Sequence, residues 1–145
     1  MKAFLDTNVL VAAVIQIHES HHKAFAVLDR VQNGKDHGFV SAHSLAEIYS
    51  VLTRLPQNQR HSPEQALLSI EENVLKYFKI VSLSGMDYAA LLREAAVAGV
   101  AGGTIYDAVL LKAAEKSGAE KIYTFNVRHF QSIAPEKLFP LILAP

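Results

Sequence analysis

The chain has 145 residues, half of them hydrophobic, and its 14 basic and 14 acidic side chains cancel to a formal net charge of zero. That length suits a single domain spanning residues 1–145, and a neutral chain has no bulk attraction for nucleic acid or anionic lipid, so any polyanion must be held by local charge. There is no cysteine, which removes disulfides and thiolate metal sites, and the first apolar run is too short for a signal peptide or a membrane span, so a cytoplasmic protein with no membrane contact is expected.

Residues 2–5 read as a buried strand that stops at Asp6. Apolar positions then crowd together over residues 7–17, as in a largely buried helix. Ser20 is placed to cap a second helix with Ala24, Val27, Leu28 and Val31 at helical spacing. Residues 33–38 read as a turn, and Phe39 and Val40 as a very short strand. A third helix runs from Ser41 or Ser44 to Leu55. Its apolar stripe is Leu45, Ile48, Tyr49, Leu52 and Leu55, and Pro56 ends it.

Ser62, Pro63 and Gln65 make a helix start, with a capping hydroxyl, a proline at the first helical position and a glutamine three residues after the cap. Leu67, Ile70 and Val74 continue that helix. A strand is expected over 78–83, and an alanine-rich helix over 84–98 that stops at Gly99. A glycine loop at 101–104 precedes a helix over 105–117 that stops at Gly118. Residues 121–125 read as a strand. A short turn follows, and LFPLILA reads as an edge strand, where its proline is tolerable. Strands alternating with helices imply a parallel α/β sheet with right-handed crossovers, and ligands of such sheets gather beyond the carboxyl ends of the strands.

Four polar side chains fall at junctions on that edge: Asp6 after the first strand, Glu47 near the start of the third helix, Asp107 in the first turn after the glycine loop, and Asn126 after the strand at 121–125. Each acid taken alone has a structural reading. Asp6 is placed to cap a helix, and Ser44 with Glu47 and Thr104 with Asp107 both have the spacing of a capping box. Taken together, three acids among apolar neighbours repel one another and lose hydration unless a cation neutralises them. All the candidate donors are oxygens, which suits Mg²⁺ or Mn²⁺ rather than zinc.

Four blocks in order, FLDTNVL, SLAEIYSVLTRLP, TIYDAVLLKAAEKSG and IYTFNVRHF, resemble the PIN domain family. Within that family the length and motif wording are similar to the ribonuclease toxins of VapBC toxin–antitoxin modules. The resemblance implies a three-layer α/β/α sandwich with a short, mostly parallel central sheet. It implies a metal-dependent endoribonuclease that hydrolyses phosphodiester bonds of RNA with a metal-activated water, leaving a 5′-phosphate and a 3′-hydroxyl. Asp6, Glu47 and Asp107 match the catalytic and metal-binding acids, Thr7 and Asn8 the positions that hold the first acid, and Thr124 a hydroxyl near the metal. The family often has a fourth acid where this chain has Asn126, an amide that brings no charge. The implied partners are RNA, a cognate antitoxin and a second copy of the chain in a homodimer.

An acidic site repels phosphate, so RNA needs cations beside it. Arg54, Arg60, Lys112 and Arg128 are the candidates, with ordinary solvated surface as the alternative for each. Tyr106 can stack on a base or simply wall the core. His18, His21 and His22 have helix-like metal spacing but straddle Ser20, which favours solvent-facing rings, and His43 and His129 flank two of the four blocks without being singled out. Leu52, Leu55 and Leu68 are apolar positions that a partner can cover. Two rival functions remain. A haloacid-dehalogenase-like phosphotransferase needs a second aspartate where this chain has Asn8. A catalytically weakened PIN-like binding or assembly module is kept open by Asn126.

Overall fold

The computed structural model describes residues 1–145, and its core is built around one parallel sheet. The elements are β1 (Lys2–Leu5), α1 (Thr7–Val14), α2 (His21–Gln32), β2 (His37–Ser41), α3 (Ala42–Thr53), α4 (Pro63–Ile70), β3 (Lys79–Val81), α5 (Gly85–Ala98), α6 (Thr104–Ser117), β4 (Lys121–Tyr123), α7 (Val127–Ile133) and β5 (Ile142–Leu143). A π-helical turn (Glu71–Leu75) follows α4, and a 3₁₀ turn (Phe139–Leu141) precedes β5.

All four strand pairings are parallel, in the order β3-β2-β1-β4-β5. The period of two along each strand sorts side chains to opposite faces. Ala3, Leu5, Val40 and Tyr123 join α1 to α4 in one core cluster. Phe4, Ile122 and Ile142 join α6 and α7 in the other, and Leu91 of α5 packs on Ala108 and Val109 of α6. Helices therefore cover both faces, and β1, buried on both, is apolar without alternation. This is the expected three-layer α/β/α sandwich.

The helix stops follow the glycines. Gly99 and Gly118 close α5 and α6 at positive φ, 73° and 69°, which costs glycine no steric strain. The Ser62 and Gln65 capping box forms as read. Several boundaries differ. The first helix ends at Val14, because Ile15 turns extended and is buried there while Ile17 is exposed. His21 is not solvent-facing: its Nδ1 donates to the Ala12 carbonyl at 3.0 Å, one of the acceptors left free at the end of α1. His18 Nδ1 accepts from the Ser20 amide, and Ser20 precedes α2 without a side-chain cap. The turn after residue 125 is a helix, α7. Pro140 lies in the 3₁₀ turn, so β5 itself has only two residues. Leu52 is fully buried and cannot meet a partner, Leu55 packs partly against the same core, and only Leu68 of those three is exposed.

Gly38 shows how closely the layers approach. A Cβ built there would lie 2.5 Å from Val31 Cγ1 and 2.7 Å from Phe78 Cδ1. Both neighbours are in the core, so neither can swing into solvent. Gly38→Ala is expected to destabilise the protein by about 1–3 kcal/mol through overpacking. The check is a lowered urea midpoint with an unchanged m-value.

Candidate active site

The strand order reverses between β1 and β4: the chain steps outward from β1 through β2 to β3, then returns across the sheet to β4. A crevice opens at the carboxyl ends of strands at such a reversal, and Asp6 and Thr124 stand there, one residue beyond β1 and β4. Thr124 Oγ1 donates to Asp6 Oδ2 at 2.7 Å, and the backbone N–H of Asn126 donates to the same threonine oxygen at 3.0 Å. The Phe125 amide donates to Asn8 Oδ1 at 3.3 Å. These bonds stitch the start of α1 to the loop after β4. Asp6 occupies the N-cap position of α1 yet makes no capping bond with its side chain. Its carboxylate bonds to Thr124 instead, and the residue is only 4 % exposed.

The other two acids also escape the capping role. Helix α3 is capped by Ser41, whose hydroxyl accepts from the His43 amide, one turn before Ser44. Ser44 Oγ is fully buried and accepts from Thr7 Oγ1 at 2.9 Å, which ties the starts of α1 and α3 together. Helix α6 starts after Gly103 with no side-chain cap, so Thr104 and Asp107 form no box either. Glu47 and Asp107 are free to face the crevice. His129 Nε2 lies 2.8 Å from Asp107 Oδ2. His43 Nε2 lies 3.0 Å from Glu47 Oε1, but poorly aligned, so that oxygen is shielded from solvent and accepts no hydrogen bond.

The electrostatics record the crowding. Burial pushes the Asp6 carboxyl from its ordinary 3.8 up to about 6; the Thr124 hydroxyl and the Thr7 amide pull it back, and the charges of Asp107 and Glu47 push it up further. Glu47 is raised chiefly by burial, lowered by His43 and raised by Asp107. The three acids thus feel one another across the crevice. As positioned, no three carboxylate or imidazole groups are close enough to share one ion; Asp107 meets His129, and Glu47 lies beside His43. The donor chemistry nonetheless fits a hard cation: oxygens only, mutually repelling, with one buried lone-pair site unused.

The cations named from the sequence are scattered. Arg128 is exposed in the first turn of α7, beside His129. Arg54 caps the far end of α3, seven residues beyond Glu47. Arg60 donates through Nε to the Leu55 carbonyl. Lys112 pairs with Glu94 at 3.4 Å in a groove between α5 and α6. His43 and His129 are not singled out by the sequence, and Ser44, read there as a helix cap, bonds to Thr7 instead. The spacing of four between His43 and Glu47 was a usable signal, whereas His129 meets Asp107 across 22 positions and leaves no local trace.

A parallel three-layer sandwich with an acidic crevice at its switch point defines the class, and sequence comparison agrees with it. The PIN domain model matches residues 3–135, and the chain belongs to that family. It is 33 % identical over 123 residues to ribonuclease VapC40 of Mycobacterium tuberculosis, a match covering 85 % of each chain. Among solved structures it resembles VapBC2 of Rickettsia felis, crystallised with a DNA fragment from its promoter, at 20 % identity over 100 % of this chain and 98 % of that one, with a TM-score of 0.63. It also resembles VapC20 of Mycobacterium tuberculosis, a sarcin–ricin-loop-cleaving toxin, at 18 % identity over 86 % and 89 % of the two chains, with a TM-score of 0.66.

Proposed function

We propose that this chain is a divalent-metal-dependent endoribonuclease acting as the toxin of a toxin–antitoxin pair, with Asp6, Glu47 and Asp107 as its metal-binding carboxylates. The observation that carries the reading is a nearly buried Asp6 whose pKa is driven to about 6 with two further acids beside it, an arrangement that destabilises the fold unless a cation uses it. The names of the VapC relatives support the same reading. Mg²⁺ or Mn²⁺ bound there supplies Lewis acidity toward a phosphodiester and lowers the pKa of a coordinated water.

The protein's own groups then have distinct tasks. Thr124 holds Asp6 in one orientation, while Thr7 and Asn8 fix the backbone around it. Asp107 or Asp6 accepts the proton of the attacking water. Asn126 orients polar ligands without adding charge, so tight binding of a second ion is not expected. Arg128 offsets phosphate charge at the rim, with Arg54, Arg60 and Lys112 further out. The whole of residues 1–145 acts as one domain, in the cytoplasm, as a homodimer and with an antitoxin as partner. The antitoxin is supported by the VapBC2 complex, and an arginine from it can pair with the acids. No helix is long and apolar enough to cross a membrane.

The test is cleavage of total RNA by purified protein. Products are expected in Mn²⁺ or Mg²⁺, none in EDTA, and full recovery on adding excess Mn²⁺. Cleavage that persists in EDTA would overturn the metal assignment. RNA binding with no cleavage under any metal would favour the second reading, a weakened PIN-like binding module, for which the uncharged Asn126 is the supporting feature.

A further inference from the structure

Beside the acids stands a pair of rings that the reaction does not require. His43, in the first turn of α3, and Tyr106, in the first turn of α6, lie with planes 3° apart and centroids 5.4 Å apart. The stack bridges the two helices that carry Glu47 and Asp107. Tyr106 is the immediate neighbour of Asp107, and the His43 ring reaches Glu47 Oε1 with its Nε2. Tyr106 does not wall the core: it belongs to none of the three core clusters and is 56 % exposed. Its ring lies nearly parallel to the imidazole, and more than half of the residue is open to solvent.

An exposed aromatic at that position contributes little to folding, since it buries little area. It is well suited to something else. A nucleobase flanking a phosphate at the acids lies within one nucleotide of Tyr106, and every base has a π-face that an aromatic ring can hold without reading its edges. The imidazole behind the phenol fixes the ring's orientation, so little rotamer freedom is lost when a base arrives. We infer that Tyr106, backed by His43, is a base-stacking platform that seats the unpaired nucleotide next to the scissile phosphate of RNA. The inference rests on the ribonuclease reading and deepens it: the platform selects single-stranded or looped-out bases, because a base within a duplex has its faces already covered.

The chain contains no tryptophan, so Tyr106→Trp creates a sole reporter at the platform. It is examined in an Asp6→Asn background and in EDTA, where RNA is bound but not cut, with hexa-adenylate and an abasic ribose-phosphate hexamer as probes. Hexa-adenylate is expected to quench the tryptophan, and the abasic hexamer, carrying the same charge, is not. In the same background, Tyr106→Ala is expected to weaken hexa-adenylate binding by about 5- to 100-fold, measured by anisotropy of a labelled strand, with Tyr106→Phe restoring it. Equal quenching by the abasic hexamer, or unweakened binding by Tyr106→Ala, overturns the platform while leaving the nuclease reading intact. Failure of every variant to bind hexa-adenylate, together with no RNA cleavage by the wild type, overturns both.

Discussion

Asp6→Asn is expected to abolish RNA cleavage and, in the same molecule, to make the fold more stable at neutral pH. The two effects have one cause. A carboxyl whose pKa rises from 3.8 to about 6 on folding binds more protons folded than unfolded between those values. Stability therefore falls as pH climbs from about 4 to about 6, and the loss is complete above that window. A shift of about two units corresponds to ~3 kcal/mol for this nearly buried group. Asparagine has the same shape and still accepts from the Thr124 hydroxyl, but carries no charge. In EDTA at pH 7.5 the variant's Tm is expected to exceed the wild type's by roughly 5–10 °C, with the difference vanishing below pH 4. Divalent ion is expected to offset most of that difference: Mn²⁺ should stabilise the wild type by mass action, about 2.7 kcal/mol at a hundred times its Kd, and the variant far less. Thermal melts across pH, with and without Mn²⁺, check this. A variant that is less stable than the wild type at pH 7.5 in EDTA would contradict the electrostatic account of the crevice.

That trade of stability for charge explains which parts of the site were readable in the sequence. An aspartate that interrupts two apolar runs stands out, and Asp6 sits where the parallel-sheet rule places ligands. Glycine stops and the Ser62 cap are chemical signals confined to a few residues, and they carried through to α4, α5 and α6. Of the two other capping boxes, Thr104 with Asp107 fails because α6 already begins at Thr104, and Ser44 with Glu47 fails for a reason outside its own segment. Ser44 is claimed by Thr7, 37 positions away, and Ser41, three residues earlier, already caps the helix. Nothing local distinguishes a hydroxyl that caps from one that bonds across the crevice. Helix α7 is only seven residues long, and its apolar positions Val127, Phe130 and Ile133 make too short a stripe to tell from a turn. Leu52 shows the converse error: an apolar stripe says that a face is buried, not whether the same chain or another one buries it. The strand order, and with it the meeting of β1 and β4, comes from packing alone. Hence the acids stand out at their junctions in the sequence, and His43 by its spacing of four from Glu47, while His129 leaves no local trace.

Asp107→Asn is expected to lose cleavage as Asp6→Asn does, on the order of 10²-fold or more, but with stability almost unchanged. Asp107 stands in the first turn of α6, where the free amides of an uncapped helix start favour a negative charge. Its side chain is 30 % exposed and its partner His129 is 45 % exposed, so the pair is solvated and removing the charge changes stability by no more than ~0.5 kcal/mol. Catalysis depends on that charge more strongly. Asparagine keeps the volume and an acceptor oxygen for the His129 ring, yet it removes one of the three negative charges proposed to hold a dication and one of the two groups proposed to take the water's proton. Rates measured over a range of Mn²⁺ separate the two contributions. A deficit that excess Mn²⁺ repairs assigns Asp107 to ion binding, and a deficit that persists at saturating Mn²⁺ assigns it to proton transfer. Cleavage at the wild-type rate at every Mn²⁺ concentration would remove Asp107 from the site and leave Asp6 and Glu47 too few to bind an ion tightly.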